Sequence, residues 1–154
     1  MSTSSARLMA APILVLALVA AYTGLTTFAQ DLAFTNTQTE LTFWGRDSYQ
    51  PEPETIKYTG QAIDALLQNA PGHPEYLGLQ ANYAAWRAYW ATDTIERVSF
   101  SQQAVQSQHA ALQSRPAHRH SWSKMVEYAA RASDGEVMLQ QAQARLRALQ
   151  PNEI

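Results

Sequence analysis

Cysteine is absent from all 154 residues. Its absence removes disulfides, thiol nucleophiles, iron–sulfur clusters and thiolate zinc sites together, and leaves the chain indifferent to the redox state of its compartment. Net charge is nearly absent as well: eleven Lys and Arg stand against thirteen Asp and Glu, a formal charge of -2. Without a basic field to concentrate phosphates, nucleic acid is not an expected partner. Glycine and proline are few, at six and seven. Ala, Leu and Gln are frequent and β-branched residues gather in the first segment, so the remainder leans towards helix. A chain of this length has room for one small domain and one core.

Signatures of catalysis are missing too. No Gly-rich phosphate loop, dinucleotide fingerprint or nucleophile elbow occurs. The four histidines, His73, His109, His118 and His120, include no pair at helical metal-ligand spacing and no accompanying carboxylate cluster. Glu52 and Glu54 lie two residues apart beside prolines, which does not oppose two carboxylates across a sugar. The expectation is a protein that is not an enzyme and carries no cofactor or metal.

What is present begins with residues 8–29, "LMAAPILVLALVAAYTGLTTFA", 22 residues without a charge. As a helix they reach across a hydrocarbon core of about 30 Å. Pro12 sits near the start, where proline is tolerated, and Thr23, Thr26 and Thr27 can bond back to helical carbonyls. Arg7 and the amino terminus precede the segment and Asp31 follows it, so the positive-inside rule keeps residues 1–7 in the cytoplasm and exports the rest. A cleaved signal peptide ending at "TFA" is the rival reading. Either way residues 30–154 lie across the membrane.

The exported part opens with a connector and capping loop over 30–53, a short helix or extended piece followed by a loop containing Gly45, Pro51 and Pro53. Residues 54–150 then read as an all-α domain. Helices are expected over 54–70, 74–91, 96–114 and 119–149, the last broken at Asp134-Gly135. An offset of 45 residues matches Ala65 with Ala110, Leu67 with Leu112, Pro71 with Pro116, His73 with His118 and Tyr83 with Tyr128. A helix ending in Leu, Gln and a proline-led turn, followed by a second helix, is thus used twice. Ala104, Ala111 and Pro116 fit the small-residue and proline spacing of a tetratricopeptide (TPR) repeat, Trp122 falls at the next repeat's large aromatic, and "LQPNE" reads like another repeat ending. The expected fold is a transmembrane helix followed by two TPR-like antiparallel hairpins.

Five aromatic rings crowd "HPEYLGLQANYAAWRAYW". Tyr76, Leu79, Tyr83, Trp86 and Trp90 recur at three and four residues, a stripe that should pack against Ile63, Leu66 and Leu67. Tyr89 and Arg87 fall off its centre and are candidates for the exposed surface. In "FWGRDSYQP", Phe43, Trp44, Arg46 and Tyr49 combine the residue types that anchor protein interfaces, while Phe43 and Trp44 could equally cap the first hairpin. In "RPAHRHSWSK", Arg115, Arg119 and Lys124 join two histidines at one turn. With Tyr89, Arg115 and Arg119 form a second candidate site, for a carbohydrate or anionic polymer.

The order of the apolar segment, "LTFWGRDSYQPEPETI", "LLQNAPGHPEYLGLQANYAAWRAYW" and "ALQSRPAHRHSWSKMVEYAAR" resembles the VpsP family, small proteins of bacterial exopolysaccharide biosynthesis gene clusters, over residues 8–150. The resemblance implies a single-pass protein of the bacterial inner membrane with a periplasmic domain. Its expected partners are inner-membrane proteins of polysaccharide synthesis or export, with the polysaccharide itself as a second possibility. It supplies no catalytic residue.

Overall fold

A computed structural model describes residues 3–46 and 49–149, and the side chains from residue 13 onward within that range. The repeat ending at 150–153 lies outside the described residues. The fold is all-α: α1 (Thr3–Phe43), α2 (Pro53–Asn69), α3 (Pro74–Trp90), α4 (Thr94–Ser114), α5 (Arg119–Ala129) and α6 (Glu136–Ala148).

The first helix runs unbroken through 41 residues, about 60 Å at helical rise. The connector expected from Gln30 is therefore helical as far as Phe43. The described apolar residues stand open: Ile13, Leu14, Leu16, Leu25 and Phe28 are each more than half exposed. Thr23 Oγ1 donates to the carbonyls of Val19 and Ala20 at 3.0 Å, and Thr26 Oγ1 to that of Thr23 at 2.9 Å. These bonds remove the hydroxyls' need for water. This helix is long and apolar enough to cross a membrane. Beyond it the same helix becomes part of the domain, for Phe34, Thr37 and Leu41 share a face and pack inward. Gly45, with φ of 78°, ends it in the left-handed conformation open to glycine. A Cβ there would also run into the Trp86 ring.

Prolines at the first position start α2 and α3. Asp93 caps α4 by accepting from the Glu96 backbone N–H at 3.0 Å. The break at Asp134-Gly135 separates α5 from α6, as its turn residues predict.

Two hairpins are present, paired one helix later than the repeat implies. The extensive interfaces are α3 with α4 and α5 with α6, whereas α2 meets α3 across a thinner seam. Side-chain size explains the shift. Ala81, Ala84 and Ala88 on α3 face Ser101 and Ala104 on α4, all buried, so those backbones approach closely. Towards α1 and α2, α3 presents Tyr76, Tyr83 and Trp90, whose rings hold the helices apart. The exception is Gly60, where a Cβ would strike the Tyr83 hydroxyl, so the missing side chain gives the ring its place. That hydroxyl donates to the Ile56 carbonyl at 3.2 Å.

The core is made of three clusters, the second and third meeting at Val105. The aromatic stripe packs with Ile63 and Leu66 as its spacing predicts, joined by Leu41 from α1 and Trp44 from the turn after it. An alanine seam with Tyr128 links α3, α4 and α5. Leu112, Trp122, Met125 and Ala142 fill the last hairpin. Polar links cross the helices: Ser107 donates to Gln80 at 2.8 Å and Gln108 to the Ser121 carbonyl at 2.9 Å.

Candidate functional site

The loop singled out as a partner contact is folded onto itself. Trp44 is only 2% exposed, with its ring 5.9 Å from that of Tyr83 and 5.2 Å from that of Trp90. Its indole N–H donates to Glu40 Oε1 at 2.9 Å, and the Tyr49 hydroxyl donates to the same oxygen at 2.7 Å. One carboxylate thus pins both ends of the loop. The Tyr49 hydroxyl is held above its ordinary pKa, chiefly by this bond to Glu40, because ionising it would set two anions together. Phe43 and Arg46 are exposed, the guanidinium 5.0 Å from the ring centroid. Trp44 is a cap burying the apolar end of α3; a partner approaching this loop meets Phe43, Arg46 and Tyr49.

The second set divides likewise. Tyr89 is 69% exposed, as its position off the stripe predicts. Arg87 is half-buried instead, bonded to the Tyr83 hydroxyl at 3.2 Å and 4.4 Å from the Phe100 centroid. Arg115 is tied to Glu75 by a 3.0 Å ion pair. Arg119 is exposed at the start of α5 and faces neither cleft described next. Of the three polymer candidates, Tyr89 and Arg115 line the groove described next and Arg119 does not.

What sequence reasoning missed is a groove with α3 as floor, α1 with Gly45, Tyr49 and Gln50 on one side and α5 on the other. One half, about 720 Å³, runs from Phe34 and Gln38 past Glu75 and Gly78 to Arg115, His118 and Ser121. The other, about 660 Å³, is lined by Tyr49, Gln50, Trp86, Tyr89, Glu127 and Arg131. Both halves share Asn82, Trp86, Lys124 and Tyr128, which makes them one trough. Its floor follows helical spacing: Glu75, Gly78, Asn82, Trp86 and Tyr89 recur at three and four residues on a face beside the buried stripe. That periodicity was available in the sequence, but it is mostly polar and the neighbouring aromatics hid it.

Charge within the groove is mixed. Lys124 pairs with Glu127 at 3.1 Å and Arg131 with the same carboxylate at 3.3 Å. The Tyr128 ring is buried, and its hydroxyl is pushed well above its ordinary pKa by burial first and by Glu127 second, partly offset by Arg131. His118 Nδ1 lies 2.7 Å from Ser121 Oγ, a contact three residues apart that closes the first turn of α5. Among the described residues no group of three or more His, Cys, Asp or Glu is placed to hold a metal ion.

Compared with known proteins, the chain matches no family model, no curated protein and no solved structure.

Proposed function

We propose that this chain is a membrane-anchored, non-enzymatic adaptor that receives an extended segment of a partner protein in the groove across α3. The observation that carries the reading is the trough itself, joined through a continuous helix to a membrane-length apolar segment. Its halves, about 660 and 720 Å³, together exceed the 300–1,000 Å³ typical of small-molecule sites. Being open along their length, they suit a chain-like ligand. Exposed Tyr89 and Tyr49 supply rigid aromatic area, and Asn82, Gln50 and Gln38 supply groups able to pair with a peptide backbone.

The topology proposed is single-pass in the bacterial inner membrane, with the helical domain in the periplasm, from the charge flanks of the apolar segment. Polysaccharide synthesis or export as the setting comes from the VpsP resemblance. A second reading has a direct observation behind it: Tyr49, Trp86 and Tyr89 line one cleft with Asn82 and Gln50, and rings beside amides also suit a sugar chain.

Crosslinking in living cells from a photoreactive phenylalanine analogue at Tyr89, and separately at Tyr49, tests both. A discrete protein adduct at both positions, absent when the analogue replaces Tyr58 on α2, supports the adaptor. Adducts that carry glycan and no protein transfer the groove to the polymer. No adduct from a stably folded chain removes the groove as a binding site.

A further inference from the structure

The direction of the helices carries a consequence for the membrane. Phe34 on α1 lies 5.7 Å from Tyr76 at the start of α3, while Trp44 lies 5.2 Å from Trp90 at its end. The two helices therefore run parallel, and the start of α3 is the end nearer the apolar segment. With α4 turning back along α3, α5 along α4 and α6 along α5, the α2–α3 and α4–α5 turns and the last turn of α6 all fall at the end of the domain from which the apolar helix emerges.

That end is basic. Among the described residues it holds Arg115, Arg119, Arg145 and Arg147, with His73, His118 and His120, against Asp31 and Glu75, and Asp64 lies further along α2. Glu75 is already engaged by Arg115. Arg119, Arg145 and Arg147 are exposed and form no ion pair among the described residues. Among the described residues the opposite end collects Glu52, Glu54, Asp93, Glu96, Asp134 and Glu136 around Arg46, Lys57, Arg97 and Arg131. A chain of net charge -2 is thus polarised along its axis. From Ala29 to Phe34 is five residues, about 7.5 Å of helix, which is inside a Debye length of about 10 Å.

We propose that the basic end of the helical domain, centred on Arg115, Arg119, Arg145 and Arg147, rests on anionic lipid headgroups of the membrane that its own apolar helix enters. This rests on the anchor reading above, since a cleaved segment would leave no membrane beside this face. Rigid continuity of α1 brings the arginines to the surface without a linker to span, and headgroup charge then fixes the tilt of the domain.

The chain's lack of cysteine makes single introduced thiols clean reporters in the full-length protein. A fluorophore would be placed on Ala20→Cys in the apolar helix, Ala117→Cys in the basic turn and Ser133→Cys at the far end. Each protein is reconstituted into phosphatidylcholine vesicles, with or without phosphatidylglycerol, containing nitroxide quenchers on acyl chains or headgroups. The expected result is acyl-chain quenching at position 20 in both lipids. Headgroup quenching at 117 should occur only with phosphatidylglycerol and be relieved by high salt, and position 133 should stay unquenched. Replacing Arg119, Arg145 and Arg147 together by Ala should shift the resting-to-lifted ratio at 117 on the order of a hundred-fold, at about five-fold per cation near a charged surface, with helicity unchanged. Position 117 unquenched in anionic vesicles, or quenched equally in neutral lipid and high salt, overturns the proposal while the anchor stands. Position 20 unquenched overturns the anchor reading and this proposal with it.

Discussion

Replacing Trp44 by Ala separates the two roles its sequence context allowed. A buried indole packed on Tyr83 and Trp90 costs about 3–5 kcal/mol when truncated, and the loss should show as a lowered urea midpoint. Arg46→Ala, at an exposed position, should stay within about 0.5 kcal/mol of the parent. If Trp44→Ala melted like the parent, the cap would be wrong. The cap was one of two readings open to the sequence, because Trp and Phe beside a glycine serve either purpose. What decided it was Glu40, four residues back, holding both Trp44 and Tyr49, a bond that no motif announces. Tyr128 offers a second residue-level test. Its folded pKa lies above the ordinary 10.0, so the folded state favours the neutral phenol. Its contribution to stability is whole below about pH 10 and is lost as pH rises from there towards the folded value. Thermal melts of the parent should therefore fall more steeply above about pH 10 than those of Tyr128→Phe.

At the level of elements, the helices were legible and their pairing was not. Proline starts, the Asp134-Gly135 break and three-and-four spacing located α2 to α6 to within a few residues, since caps and periodicity are local properties. The end of α1 was less legible: Thr-rich sequence has modest helix propensity, yet packing of Phe34, Thr37 and Leu41 carries the helix to Phe43. Pairing depends on how closely two surfaces can approach, and the decisive surface was the alanine face of α3, outshone by its aromatic one. The seam makes a prediction. Ala84 has no exposed surface and sits in the cluster with Ala104 and Tyr128. Ala84→Leu should therefore lower stability by about 1–3 kcal/mol through overpacking, read from the denaturation midpoint. Ala62→Leu, half-buried on α2, should cost less. Equal losses would mean that the α3–α4 approach is not the tight one.

For the whole molecule, the junction between the apolar segment and the domain is the feature that organises the rest. A flexible tether would let the helical array face any direction, whereas α1 crosses from exposed apolar residues to core residues within one helix, Leu32 being 50% exposed and Leu41 2%. The same helix thus continues the apolar segment and forms a structural wall of the groove, through Phe34, Gln38, Leu41 and Thr42. It follows that the cut between apolar segment and fold lies near Gln30 and nowhere later. A fragment of residues 30–154 retains every inward-facing residue of α1 and should unfold cooperatively in solution. A fragment starting at Gln50 loses Leu41 and Trp44 together, at about 1.5–3 kcal/mol for burial of the leucine alone and more for the indole. That is comparable with the total stability of a domain of this size, about 5–15 kcal/mol, and Glu40 goes with the two groups it holds, Trp44 and Tyr49. Circular dichroism melts of the two fragments decide the matter. A sharp transition in the first and a broad or absent one in the second would make the end of α1 part of the fold. Equal transitions would reduce it to a stalk and leave the groove without its first wall.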